Sequence, residues 1–317
     1  MYSYKDRIII KGLVSVIIPV YNRELLIANT LDSVLNQTYP NLDIIVVNDG
    51  SSDKTSEILS AYKNNFSKII TIINQDNQGQ IKARNNGIKK ARGEYVAFLD
   101  SDDLWLNHKL EKQLPLFNKE NIGLVFSGNY NINSAGDIIG SEPFDKLITS
   151  NIYNDLLVEN LMAGGSVVIK HKTLVDVGLF DESLEAAENW DLWIRICRKY
   201  DADFIGVPLM KYRIHSGNMS KDSTLMLTAT KAILDKHLPE SIESSTEKVV
   251  YCQAYASYAY RKGLKNIYDG NYTQARANFY EAKNYVSGYK DCNMRIFRTL
   301  LGRNINGFIA TCRRRLG

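Results

Sequence analysis

The sequence is poor in the features that mark secreted, zinc-binding and membrane-spanning proteins. Its 317 residues include 4 cysteines and 6 prolines, and no two cysteines form a CxxC pair. This spacing argues against a disulfide framework or a structural zinc site and favours reduced thiols. No segment approaches the roughly 18 apolar residues of a membrane span, and residues 1–10 lack the apolar core of a signal peptide. We therefore expect a cytoplasmic protein.

A strong excess of charge of one sign is also missing. The 39 Lys and Arg residues nearly balance the 35 Asp and Glu residues, which leaves a formal net charge of +4. A charge this small does not point to nucleic acid as a partner. The length exceeds that of one typical domain, so we expect a larger and a smaller domain.

The first hundred residues alternate between apolar strands and helices. Strands are predicted at Val14–Val20, Asp43–Asn48, Ile69–Asn74 and up to Asp100. Asn22 is the expected cap of the first helix. This alternation predicts an α/β fold with a mainly parallel central sheet and helices on both faces. From Ser220 onward the residues favour helix, so we predict domains at 1–220 and 221–317, the second all-helical.

Three carboxylates, Asp100, Asp102 and Asp103, directly follow the fourth apolar strand. Open α/β sheets place ligands at the carboxyl ends of their strands. Adjacent anions repel unless a cation lies between them, and oxygen ligands suit Mg²⁺ or Mn²⁺, which usually also bind substrate phosphates. The pattern predicts a metal-assisted site for a phosphorylated ligand. A helix N-cap is the structural alternative, and an Asp-nucleophile phosphatase is a weaker one, because its acid pair ends the first strand.

Further motifs stand in a fixed order around this acid cluster. They are Val14–Asn22, Val46–Asp53, Asn77–Gly79, Ala83–Gly87 and Phe98–Asp103. Together they closely resemble the family 2 glycosyltransferases of the GT-A fold, which transfer a sugar from a nucleotide-diphosphate donor and invert its anomeric carbon. The resemblance covers roughly residues 12–220.

The resemblance implies roles for individual residues. The donor-binding positions would be Pro19, Tyr21, Asn22, Asp49, Arg84, Asp100 and Ser101. Asp49 stands where the family contacts the base, typically uracil. Asp102, the second acid of the D-x-D pair, would be the principal ligand of Mn²⁺ or Mg²⁺, and His215 would contact the metal or the diphosphate. Gly165 and Ser166 would lie on the acceptor side.

An inverting transfer needs a carboxylate that takes the proton of the acceptor hydroxyl. The family commonly has Glu-Asp at this point, with the Asp as base, but here Glu188 is followed by Asn189. Glu188 and Asp191 are three residues apart and share a face of the predicted helix. We expect Glu188 to be the base ahead of Asp191. The alternatives are that both acids only stabilise the helix N-terminus, or that the chain is a non-catalytic sugar-nucleotide binding module.

The helical region carries two further patterns. The spacing of Gly270, Tyr272, Ala275, Phe279 and Ala282 resembles one tetratricopeptide hairpin. Residues 295–317 contain six arginines and no acid among apolar residues. Such a basic amphipathic end predicts peripheral contact with the inner membrane face, with a solvated helix as the alternative. The expected partners are a UDP-sugar, by analogy, and a glycan or lipid-linked acceptor in cell-surface polysaccharide synthesis.

Overall fold

The computed structural model describes residues 8–119, 121–142 and 151–300, which fall into two compact units. The first unit consists of Met1–Tyr153, Leu161–Leu184 and Glu188–Asn218. The second unit consists of Asn154–Asn160, Glu185–Ala187 and Met219–Gly317. Two short segments within the first 220 residues therefore belong to the second unit, so one boundary in the sequence does not separate the two units completely. We retain the division near residue 220 as a proposal.

The strands of the first unit form one mixed sheet. They are β1 (Ile10–Val20), β2 (Leu42–Asp49), β3 (Ile70–Gln75), β4 (Gly93–Phe98), β5 (Leu104–Trp105), β6 (Ile122–Ile132), β7 (Ile138–Glu142), β8 (Val168–Lys170) and β9 (Asp201–Arg213). Their order is β3-β2-β1-β4-β8-β6-β9-β5, with β7 paired to β6. The first four strands pair in parallel, as predicted. Strands β5, β7 and β8 pair antiparallel, so the sheet is not parallel throughout.

Helices cover both faces of the parallel part of the sheet. The helices of the first half are α1 (Ile27–Leu35), α2 (Thr55–Asn65), α3 (Gln80–Ile88), α4 (Lys109–Gln113), α5 (Ile152–Val158), α6 (His171–Val177) and α7 (Glu188–Cys197). Val16 and Ile18 of β1 share a buried cluster with Leu31 of α1. Ile17 faces the opposite side, where Gly87 of α3 approaches so closely that a Cβ would lie 2.5 Å from Ile17 Cγ2. Alternating side chains of β1 therefore anchor the two helical layers.

Asn22 does not cap α1, contrary to the prediction. That helix begins at Ile27, and its N-cap residue makes no side-chain capping bond. Asn22 has a left-handed φ of 49°. Its Oδ1 accepts a hydrogen bond from Ser52 N at 2.8 Å, and its own N–H donates to Ser51 Oγ at 3.0 Å. The tight turn aims the side chain at the loop after β2 and away from the distant helix start, so Asn22 joins two loops of the sheet edge.

The second unit is helical. Its main helices are α8 (Ser223–His237), α9 (Ser245–Tyr268), α10 (Tyr272–Tyr285) and α11 (Cys292–Leu300). Helices α9 and α10 form the predicted hairpin, in which Phe279 is fully buried and a Cβ on Gly263 would lie 2.6 Å from its ring. Cys292 and Ile296 of α11 join the same buried cluster. The apolar face of the hairpin is therefore partly covered by α11 within its own unit.

Two sequence expectations concern thiols and the membrane. Within the described residues, Cys197, Cys252 and Cys292 are free thiols. In those same residues no helix combines the length and the apolar character that crossing a bilayer requires. Residues 301–317, which hold most of the basic amphipathic end, lie outside the described residues. Peripheral membrane contact therefore stays a prediction.

Candidate active site

The predicted donor-side residues meet at one edge of the sheet. Pro19 lies in β1 and pairs in register with Val47 of β2, and Tyr21 follows β1 with 44% of its surface exposed. Asp49 ends β2, and the acid cluster begins two residues after β4. The carboxyl ends of parallel strands share an edge, which is where α/β sheets bind ligands.

Asp49 organises the loop that leads into α3. Its side chain is buried, and its Oδ1 accepts hydrogen bonds from Gln75 Nε2 and Gln78 N, both at 2.8 Å. Its Oδ2 accepts one from Gly79 N at 2.9 Å. A carboxylate oxygen can accept two hydrogen bonds, so Oδ2 retains capacity for a further donor such as a base N–H. The predicted contact with a nucleobase stays a prediction.

Arg84 is a buried cation that bridges two carboxylates. Its side chain is 2% exposed, and its guanidinium donates to Asp100 Oδ1 at 2.5 Å and to Glu188 Oε1. Burial alone lowers the pKa of Arg84, but the charges of Asp100 and Glu188 outweigh it and raise that pKa above its usual value. Its Nε is buried and has no hydrogen-bond partner among the described residues. One cation thus joins the acid loop after β4 to the first residue of α7.

Asp102 and His215 form a second polar pair at the same edge. Asp102 Oδ2 lies 3.0 Å from His215 Nε2 and 3.4 Å from Arg23 Nη2. Gly217 N donates to His215 Nδ1 at 3.1 Å, which assigns the ring proton to Nε2, where it faces the carboxylate. Arg23 was not expected from the sequence, although a cation three residues after the last residue of β1 was a usable signal.

Asp103 has a different environment from the other two acids. It is 1% exposed, and its Oδ1 accepts from Arg213 N at 2.8 Å. Burial, with the nearby charges of Asp100 and Asp102, raises the pKa of Asp103 well above its usual value. The Arg213 guanidinium donates to the backbone oxygens of Asp102 (Nε, 2.8 Å) and Ser134 (Nη1, 3.0 Å). Asp103 and Arg213 therefore fix the backbone that presents Asp102.

The two candidate bases on α7 have unlike surroundings. Asp191 is fully buried and accepts from Arg195 Nε at 2.8 Å. Arg195 also donates to the carbonyl oxygens of Val177 and Leu179, both at 2.7 Å. Asp191 is thus part of a buried hydrogen-bond network that joins α7 to the end of α6 and the loop after it. Only Glu188 of the pair contacts Arg84, so the geometry favours Glu188 over Asp191.

The predicted acceptor-side residues are held in a buried short 3₁₀ turn. The backbone oxygen of Gly165 accepts from Trp105 Nε1 at 2.8 Å, and that of Ser166 accepts from Gln113 Nε2 at 2.9 Å. Ser166 is fully buried. This packing favours a role in shaping the turn, and their contact with an acceptor stays a prediction.

Asn189 faces this turn. A Cβ on Gly164 would lie 2.9 Å from Asn189 Nδ2. Asn189 Oδ1 is buried, and within the portion of the chain that the structure describes it has no hydrogen-bond partner. An orphaned acceptor of this kind costs free energy unless a donor reaches it. Asn189 therefore sits between the turn and Glu188, close to where the resemblance places an acceptor.

The side chains at the edge fit a divalent ion only if a substrate completes its coordination. No group of three or more His, Cys, Asp or Glu side chains that could hold a metal is found in the described parts of the chain. Asp102 and His215 converge, but the other cluster acids are engaged by Arg84 and Arg213. Mg²⁺ and Mn²⁺ sites commonly use one or two protein carboxylates and take further oxygens from phosphates and water. The donor set matches that kind of site.

Comparison with known proteins identifies the family. The model of glycosyl transferase family 2 matches residues 15–184, which is more than half of the chain. The chain belongs to this family. The match begins within β1, continues through β8 and includes the acid cluster. It ends before Glu188 and His215, so it does not bear on their predicted roles.

Several curated proteins are similar in sequence. The chain is 32% identical over 252 residues to UDP-Glc:alpha-D-GlcNAc-diphosphoundecaprenol beta-1,3-glucosyltransferase WfgD of Escherichia coli, covering 79% of this chain and 94% of that protein. It is 32% identical over 216 residues to TuaG of Bacillus subtilis (strain 168), a glycosyltransferase named for teichuronic acid biosynthesis, covering 67% of this chain and 83% of that protein. It spans only 35% and 29% of the length of uncharacterised glycosyltransferases of Rickettsia felis and Rickettsia bellii.

Solved structures share the fold. Staphylococcus aureus TarS 1-349 in complex with UDP-GlcNAc superposes with a TM-score of 0.63 at 18% identity, covering 90% of this chain and 89% of that one. The mannosyltransferase PcManGT of Pyrobaculum calidifontis, in complex with GDP-Man and Mn²⁺, gives a TM-score of 0.63 at 19% identity, covering 91% and 79%. The predicted GT-A fold is thereby confirmed.

Proposed function

We propose that this glycosyltransferase is an inverting, metal-dependent enzyme that moves a sugar from a UDP-sugar to a hydroxyl of a glycan or lipid-linked saccharide in cell-surface polysaccharide synthesis. The observation that carries the proposal is the buried Arg84 bridge, which joins Asp100 on the donor side to Glu188. The name of the relative WfgD, with UDP-Glc as donor and a diphosphoundecaprenol-linked acceptor, supports the donor nucleotide and the acceptor class.

The donor would lie across the ends of β1, β2 and β4. Asp102 and His215 would hold the divalent ion, and His215 would release its Nε2 proton for this, because a ring nitrogen must be deprotonated to bind a metal. The bound ion would offset negative charge on the leaving diphosphate. Their mixed oxygen and nitrogen donors suit Mn²⁺ better than Mg²⁺, which takes oxygen ligands. Arg23, 3.4 Å from Asp102, supplies a cation within reach of the same phosphates. Tyr21 presents an exposed ring beside Asp49 for the nucleoside.

Glu188 would act as the general base. The bridge to Arg84 uses its Oε1, which leaves Oε2 as the oxygen that takes the proton of the acceptor hydroxyl. The acceptor oxygen then bonds to the anomeric carbon as the bond from that carbon to the diphosphate breaks. This single displacement inverts the anomeric centre and needs no covalent enzyme intermediate.

The direct test is acceptor-stimulated release of nucleoside diphosphate from a panel of nucleotide sugars with Mn²⁺. Glu188→Gln should lose at least about 100-fold in rate, the lower range of general-base catalysis, while donor binding stays within a few-fold. Glu111→Gln, which changes an exposed acid, is the matched control and should keep the wild-type rate. Wild-type turnover by Glu188→Gln would refute the role of Glu188. Donor binding without stimulated release by the wild type would instead indicate a binding module.

A further inference from the structure

The helical unit contains a cavity that the transferase site does not use. Its volume is about 500 Å³, and it is lined by residues of the turn before α8, of α8 itself and of the second half of α9. Volumes of 300–1,000 Å³ are typical of small-molecule sites. The cavity is therefore large enough for a ligand of intermediate size.

The lining combines an aliphatic surface with cations. Met226, Leu227 and Leu264 supply the apolar part. The cations are Lys221, Arg261 and Lys265. A nucleotide would leave this aliphatic surface unused, whereas an amphiphile with an anionic head matches both parts.

The cations of the cavity are accessible to a ligand. Arg261 pairs with Glu159, and Lys265 pairs with Asp269 at 2.5 Å, but the four side chains retain between 23% and 40% of their exposure. Ion pairs this exposed are weak, about 0–1 kcal/mol, so an incoming phosphate can compete with them. Lys221 has no carboxylate partner within the part of the chain that the structure describes.

Three acids, Glu159, Asp222 and Asp269, balance these three cations in formal charge, so the match to an anionic head depends on the exposure of the cations and not on a net positive charge. The carboxylate of Asp222, next to Lys221, accepts from Thr224 N and Leu225 N, both at 3.0 Å, and so caps α8. Residues 301–317 contain four arginines and no acidic side chain, so that segment offers no side-chain anion to the cations of the cavity.

We propose that this cavity binds a single-chain lipid phosphate or diphosphate, with the chain over Leu227 and Leu264 and the head at Lys221 and Arg261. The volume suits one chain with its head group, and not a two-chain phospholipid. The proposal concerns binding alone, so it does not require the acceptor of the transferase to be lipid-linked.

Calorimetry on the full chain with farnesyl diphosphate, without vesicles or metal, tests this site. We expect binding that is at least tenfold tighter than that of inorganic diphosphate or of farnesol, because inorganic diphosphate lacks the apolar chain and farnesol lacks the anionic head. Excess UDP should not displace the ligand, since the donor site lies elsewhere. Equal affinity for inorganic diphosphate would overturn the proposal, and so would displacement by UDP.

Two variants and a control locate the binding. Lys221→Glu, a change at an exposed position, and Leu227→Glu should each weaken binding of farnesyl diphosphate at least tenfold. Lys248→Glu, at an exposed position of α9 outside the cavity, should stay within about twofold of wild type. Unchanged binding in Lys221→Glu contradicts the inference whatever the transferase does. If the wild-type chain binds farnesyl diphosphate but not UDP, that result would count against the proposed function and would still support this lipid-binding site.

Discussion

Removing the Arg84 cation should lower the free energy of unfolding, because Arg84 compensates the charges of two acids in the site. In Arg84→Met the carboxylate of Glu188, 4% exposed, loses its buried partner, whereas Asp100, 34% exposed, can be solvated. Breaking a buried ion pair by removing one partner costs about 3–5 kcal/mol. We assign that cost mainly to Glu188, because solvent screens the more exposed Asp100.

The double variant Arg84→Met/Glu188→Gln separates pairing from packing. It removes the uncompensated charge, so its loss of unfolding free energy should be smaller than that of Arg84→Met by about 1–3 kcal/mol. Urea unfolding followed by circular dichroism gives both values. Lys119→Gln, which breaks an exposed pair with Asp203 in the same unit, is the control and should cost no more than about 1 kcal/mol. Equal losses in the single and double variants would show that the buried charge of Glu188 is not what Arg84 stabilises.

Three further predictions concern other residues. Adding Asn189→Asp to the Glu188→Gln variant should raise its transfer rate about tenfold, because it restores a carboxylate beside the acceptor. A double variant as slow as Glu188→Gln would show that the side chain at position 189 does not reach the acceptor hydroxyl. Lys109 is fully buried, which lowers its pKa well below the usual value, so the unfolded chain binds more protons and wild-type stability should rise with pH towards about 10.5. Lys109→Met should lack that rise in urea titrations from pH 7 to 10; a constant difference from wild type would contradict this. Gly263→Ala should destabilise the helical unit by about 1–3 kcal/mol through overpacking on Phe279, and a raised melting temperature would argue against that close approach.

The parallel half of the fold could be predicted because its residues show their environment locally. The strand segments of β1 to β4 are apolar runs punctuated by turns, and the acids after β4 stand out because packing gives no reason for them. The second half lacks this signal. Strand β8 has three residues and β5 has two, and pairings of such short strands are decided by tertiary contacts that no local pattern encodes.

The position of the candidate site could be predicted from the sequence, but the ion pairs between its side chains could not. The sequence places Glu188, Asp191 and Arg195 on one helix face, yet only the fold shows that Arg195 pairs with Asp191 and leaves Glu188 to Arg84. Adjacent acids are likewise equivalent in the sequence, whereas the chain buries Asp103 against Arg213. Burial and ion pairing between distant segments made these distinctions, and neither follows from residue spacing.

The proposed mechanism requires Asp102, with His215, to link nucleotide-sugar binding to a divalent ion at the edge of the sheet. In titration calorimetry, the affinity of the wild-type chain for UDP-sugars should increase at least tenfold when Mn²⁺ is added. The same titration on Asp102→Asn should show little change with Mn²⁺. An equal dependence on Mn²⁺ in both proteins, or donor binding that does not change with Mn²⁺ in the wild type, would contradict the proposed role of Asp102.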